Sequence, residues 1–252
     1  MDVRERFEDE LRSRGVAFTI DPESMRHSIK VGDGQLLVSL ENLQRDVKSD
    51  GDIGRISRFV DAVLAASPES DTDLSADRLF WSLEPNDYEE CAEIREALSD
   101  RVDRVLVHVS SDDRLISWVT ADMLDTLVLS EIEAGERAFE NLAKALESAT
   151  FQVSDIDGVP LGYLETTLPF KAALLLAPNL KDVLGPRLGW PLLAVVPDRD
   201  FIYLWAAEHV ALTGRLGRVV VREYSNSAYP VSTEVYEASD QGIRAIGAFP
   251  VG

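Results

Sequence analysis

Leu192-Leu193-Ala194-Val195-Val196, then Pro197-Asp198-Arg199-Asp200, then Phe201-Ile202-Tyr203-Leu204-Trp205: two apolar runs of five residues flank four turn-forming ones. Runs of this length and composition are strands, and a connection this short and polar folds the second back on the first. Helical patterns lie on both sides of this antiparallel hairpin. The combination sets the expected fold class: α+β, with mixed, mostly antiparallel sheets and helices packed on them.

Working upstream, residues 170–184 predict a helix, and Phe151–Val153 and Leu161–Glu165 predict extended segments around a turn at Asp155–Gly158. Before them lies the most strongly marked helix. Ser130 and Glu133 form a capping box, and Ile132, Phe139, Leu142, Ala143 and Leu146 share one face. Arg104–Val109 alternates as a strand and Arg114–Val119 returns antiparallel; Leu79–Leu83 is extended and residues 87–98 predict a helix. Downstream, a helix over 211–224 precedes Tyr229-Pro230-Val231-Ser232 and a hairpin around Asp240-Gln241-Gly242.

The first third repeats the scheme on a smaller scale. Val3, Phe7 and Leu11 line a helix that Gly15 ends. Short strands follow at Val16–Ile20, His27–Val31 and Gln35–Leu40, divided by Asp21-Pro22 and Gly32-Asp33-Gly34. Asp52 caps a second helix striped by Ile53, Ile56, Phe59, Val60, Val63 and Leu64. The polar stretch Ser67–Asp73 marks a boundary, so the expected organisation is an N-terminal helix, three-strand, helix unit over 1–76 and a larger α+β domain over 77–252.

The chain of 252 residues carries a formal net charge of -20. Residues 1–105 hold 25 acids and 14 bases and the remainder 20 and 11, so the acidity is spread along the chain and is densest over 67–103. Such a field repels nucleic-acid phosphates and anionic lipid and attracts basic proteins. No apolar run approaches the ~18 residues of a membrane span. Met1–Arg6 lacks the apolar core of a secretory signal, and Cys91 is the single cysteine. The expectation is a cytoplasmic protein with a protein partner and with neither nucleic acid nor membrane as target.

The motifs that carry chemistry are sparse. His27, His108 and His209 are far apart, and without a cysteine pair they give zinc no local frame. Glu89, Glu90 and Glu93 around Cys91 oppose thiolate formation. Asp155-Ile156-Asp157-Gly158 opens like a calcium loop, but Val159 and Pro160 fall where an oxygen ligand and a glycine are needed, so it reads as a turn. Neither phosphate-binding glycine pattern nor a nucleophile elbow occurs. No cofactor and no metal site are expected. Asp198, Asp200 and His209 remain as weak catalytic candidates near one strand end. Arg215, Arg218 and Arg222 form a basic ridge on the last helix and a weak binding candidate. Asn141, beside an apolar helix stripe, predicts an amide that satisfies backbone groups of a neighbouring strand or loop.

The run Trp118-Val119-Thr120-Ala121-Asp122-Met123-Leu124, then Ala138-Phe139-Glu140-Asn141-Leu142, is similar to the central motif of the YtpQ-like family, uncharacterised bacterial cytoplasmic proteins grouped as a domain of unknown function. Leu193–Asp200 followed by Tyr229-Pro230-Val231-Ser232 resembles that family as well, and so does the order of segments in the N-terminal half. Relatives carry an Asp-Gly-Tyr or Asp-Gly-Asn stretch before the segment that starts here at Leu168-Pro169-Phe170; this chain has no such stretch there. The resemblance implies a fold and no reaction. The leading expectation is a non-enzymatic, adaptor- or chaperone-like interaction module. The alternatives are a hydrolase-like enzyme with its site near Asp198, Asp200 and His209, or an acidic decoy or immunity-type protein that binds a basic partner.

Overall fold

The architecture was obtained as a computed structural model that describes residues 2–20, 27–31, 34–38, 40, 43–44, 47–48, 51–65, 74–87, 92–111, 116–227 and 229–251. The turns at Asp21-Pro22 and Gly32-Asp33, the boundary segment 67–73 and Cys91 lie outside them. The chain divides into two units, Met1–Leu74 and Ser75–Gly252.

In the first unit, α1 (Val3–Ser13) starts where the Asp2 side chain accepts from the Arg4 amide and buries Val3, Phe7 and Leu11. Gly15, at φ +70, takes the left-handed conformation that ends it. Strands β1 (Phe18–Ile20), β2 (His27–Val31) and β3 (Gly34–Val38) pair antiparallel in that order. α2 (Gly54–Ala65) is capped by Asp52, whose Oδ1 accepts from the Gly54 amide at 3.0 Å. Ile29, Ile56 and Val60 complete the core with Phe7 and Leu11.

The second unit begins with a single 3-10 turn, Ala76–Arg78, that leads into β4 (Leu79–Pro85). With β5 (Arg95–Ala97), β6 (Val102–Val109) and β7 (Ile116–Trp118) it forms an antiparallel sheet in which β6 pairs with all three others. The expected helix over 87–98 is corrected: residues 95–97 are extended. Arg95, Glu96 and Ala97 are all exposed and offer no apolar stripe for a helix to bury, so pairing with β6 decides their backbone.

α3 (Ala121–Leu127) and the long α4 (Glu131–Ser148) follow, with both halves of the Ser130/Glu133 capping box formed. β8 (Thr150–Ile156) and β9 (Val159–Glu165) meet through Asp157-Gly158, both at positive φ, as a two-residue hairpin turn requires. After α5 (Leu180–Leu188) come β10 (Leu192–Asp198), β11 (Phe201–Ala206), α6 (Thr213–Asn226), β12 (Glu234–Ser239) and β13 (Gly242–Ala248). The sheet order is β13-β12-β10-β11-β9-β8, antiparallel throughout.

Both faces of β10 are buried, which explains its unbroken apolar run. Leu192, Ala194 and Val196 join the main core, while Leu193 and Val195 pack in a second one with Trp205, Leu212, Leu216 and Val220. The expected helix over 170–184 is also corrected. Lys171–Leu176 is a 3-10 segment with Ala172 through Ala177 buried, and the α-helix starts only at Leu180. A segment covered on all sides gains nothing from amphipathic spacing, and Pro178 disfavours helical backbone at Ala177. A 3-10 segment, Ala207–Leu212, likewise precedes α6.

Among the described residues no helix is long and apolar enough to cross a membrane.

Candidate functional site

The strand register separates the catalytic candidates. Asp198 pairs with Phe201 at the tip of the β10–β11 hairpin, whereas Leu192 pairs with Ala206 at its other end. His209 lies three residues beyond Ala206, in the 3-10 segment, so the length of β11 separates it from both aspartates, about 17 Å for six residues. The expected gathering of Asp198, Asp200 and His209 in one cleft is thereby corrected. The aspartates instead build the turn. Asp198 Oδ1 accepts from the Asp200 amide at 2.6 Å, and Asp198 Oδ2 accepts from the Ser227 hydroxyl. The Asp200 carboxyl is held above the usual aspartate range, first by crowding that strips its water and then by the charge of Asp198.

The basic ridge is partly neutralised. Arg215 pairs with Asp157 of the β8–β9 turn and Arg222 with Glu223, while Arg218 is exposed. His108 is buried and accepts from the Ser75 amide. His27 is fully buried, with Nε2 3.1 Å from Glu8 Oε1 and its ring edge-on to Phe7. Asn141 behaves as expected: its Nδ2 donates to the Ala76 and Leu79 carbonyls at 3.0 and 2.9 Å. Asp155 Oδ1 accepts from the Gly158 amide, the turn chemistry its sequence predicts. Among the described residues no group of three or more His, Cys, Asp or Glu is placed to hold a metal ion.

Two buried carboxylates that sequence reasoning missed link the sheets of the second unit. Glu84 on β4 accepts from Ser82 Oγ at 2.8 Å and from Arg199 Nη2 at 2.9 Å; the Arg199 guanidinium also lies 4.6 Å from the centre of the Tyr229 ring. Glu234 on β12 accepts three hydroxyls: Ser99 at 2.7 Å, Ser232 at 3.1 Å and Tyr236 at 2.8 Å. Burial and the Glu234 charge raise the Tyr236 phenol, which keeps it a donor. Opposite Glu84 in the ladder, Asp103 pairs with Arg95 at 3.1 Å, so each of two facing carboxylates has its own arginine. Carboxylates held by this many donors fasten the segments that carry them. The sequence signal was a repeated Ser-x-Glu within an apolar run, at Ser82/Glu84 and Ser232/Glu234. Ser82 and Glu84 are two apart on β4 and so share a face, while Ser232 stands just ahead of β12 and reaches Glu234 from there.

The surface offers a different kind of site at the α3–α4 corner. Leu129 N donates to Leu124 O at 3.0 Å and Val128 N to Asp125 O at 3.1 Å, the bond pair of a Schellman ending with Val128 at its left-handed position. That position favours glycine; here it holds a β-branched residue at φ +56 that is 85 % exposed. Ile132, in the first turn of α4, is 75 % exposed. Residues 121–136, which hold both, carry Asp122, Asp125, Glu131, Glu133 and Glu136, all exposed, and no base; Arg137 follows and pairs with Glu140. Glu131 and Glu133 complement the α4 N-terminus, whereas Asp125 opposes the dipole at the end of α3.

The class these features define is an α+β protein of two units, with buried carboxylates held by arginine and hydroxyl donors and two exposed apolar residues in an acidic stretch. Comparison of the chain with protein-family models, with curated proteins and with solved structures finds no match.

Proposed function

We propose that the protein is a non-enzymatic interaction module, adaptor- or chaperone-like, that works in the cytoplasm and engages a basic protein partner through the Val128–Ile132 knob. The observation that carries this reading is Val128 itself. It meets two costs at one position, left-handed backbone without a glycine and a branched apolar side chain left in water. A partner with an apolar cleft rimmed by lysine or arginine would bury both side chains and complement the five acids of the same stretch. The net charge of -20 favours the encounter at long range. The arginine-held Glu84 and the hydroxyl-held Glu234 support a scaffolding role, because each ties together segments far apart in the chain. The resemblance to the YtpQ-like family belongs to the same proposal, as kinship without a reaction.

The test is a matched pair of baits, wild type and Val128→Asp/Ile132→Lys, exposed to the same native lysate at low and moderate salt. The reading expects a basic protein retained by the wild type and lost from the variant. Identical sets of retained proteins would refute it.

A further inference from the structure

We propose that the protein self-associates by antiparallel pairing of β8 with β8 of a second copy, which extends the six-stranded sheet across a two-fold axis. β8 ends that sheet, and among the described residues nothing pairs with its outer side. A terminal strand presents unpaired N–H and C=O groups, and proteins normally blunt such edges with charge, proline or a bulge. The opposite end of the sheet is blunted in that way: between β12 and β13 the register slips at Ile246. β8 has no bulge and no proline, and its single charge, Asp155, stands at the end beside the turn. Its pairing with β9 runs unbroken over seven residues, and Thr150-Phe151-Gln152-Val153-Ser154 carries no charge and no proline.

The sequence of β8 fits itself. A two-fold at Val153 is the arrangement that pairs all seven residues, with Thr150 opposite Ile156, Gln152 opposite Ser154 and Phe151 opposite Asp155 of the second copy. Phe151, Val153 and Asp155 share one face because side chains alternate along a strand. On that face the Arg187 guanidinium lies 4.4 Å from the centre of the Phe151 ring. Arg187 is exposed, and among the described residues no carboxylate lies within ion-pair distance of it, although the chain holds 45 acids against 25 bases. In the paired strands the carboxylate of Asp155 from the second copy arrives beside that arginine, and the symmetry forms the contact twice. No like charges face each other in this register, whereas a two-fold at Asp155 would oppose two carboxylates. One strand pair is a small interface, which places the dimer in the weak, concentration-dependent class.

Sedimentation of the full chain at rising concentration and about 0.15 M salt, where the Debye length is about 8 Å, reads the result. The expected mass moves from 27.9 kDa toward twice that value. Arg187→Glu, an exposed change on α5 that leaves the core intact, is expected to weaken the dimer by about tenfold or more. Val153→Lys, which places two ammonium groups at the axis, is expected to weaken it at least as much, with circular dichroism confirming that both variants fold. A wild-type chain that stays monomeric at every concentration overturns the proposal. So does a dimer that Arg187→Glu leaves unchanged. The binding of a foreign acidic peptide strand by a monomeric chain would also overturn it, by assigning the edge to another occupant.

Discussion

Val128→Gly is expected to stabilise the second unit while it weakens partner binding. The left-handed conformation costs a residue with a Cβ about 1–2 kcal/mol, and glycine at φ +56 is spared that cost. Against this, glycine gives up about 0.5–1 kcal/mol through its freer unfolded chain. The lost side chain matters little to the fold because it is 85 % exposed. The balance is a gain of about 0.5–1 kcal/mol, which for a unit of this size raises Tm by about 1–4 °C. Tryptophan fluorescence during urea or thermal unfolding isolates the effect, since Trp81, Trp118, Trp190 and Trp205 all lie in the second unit. Val128→Ala keeps the Cβ and its strain, and is expected to stay within about 0.5 kcal/mol of the wild type. If glycine proves no more stable than alanine, the backbone at this corner is not strained, and the argument from Val128 to a binding role fails.

Arg199→Met strands the Glu84 carboxylate, 3 % exposed, without its cation and is expected to cost about 3–5 kcal/mol in urea unfolding; adding Glu84→Gln should restore part of the loss. Asn141→Leu leaves the Ala76 and Leu79 carbonyls without their donor, for an expected loss of about 2–4 kcal/mol by the same assay. Asp200→Asn works in the other direction. A carboxyl whose folded pKa is raised favours protonation in the folded state, so its ionisation destabilises the fold at neutral pH. The variant is therefore expected to be more stable than wild type at pH 7, with the difference shrinking as pH falls through the folded pKa toward the ordinary aspartate value of 3.8. A difference independent of pH would contradict this.

Much of the fold was legible because its elements are announced locally. The 192–205 hairpin, the Ser130/Glu133 capping box and the Asp157-Gly158 turn each follow from a few neighbouring residues, and each is present. What failed was decided at a distance. Residues 95–97 are extended because β6 pairs with them, and residues 171–176 take 3-10 form inside a core that surrounds them. The site was less legible than the fold. Arg199 is 115 positions from Glu84, so nothing in the residues beside it points to its partner. The separation of His209 from those aspartates needed the direction of β11 along the hairpin, which residue types do not encode. The exposure of Val128 and Ile132 was hidden for a similar reason, because apolar residues beside a helix start read as core.

The central claim is that the Val128–Ile132 corner is a contact surface, and site-directed photo-cross-linking in living cells tests it most directly. A photoreactive residue at position 128 is compared with one at Val210, an equally apolar position that is 58 % exposed elsewhere on the same unit. The account predicts one dominant adduct with a basic protein from position 128 and none of it from position 210. The same diffuse set of adducts from both positions would contradict it.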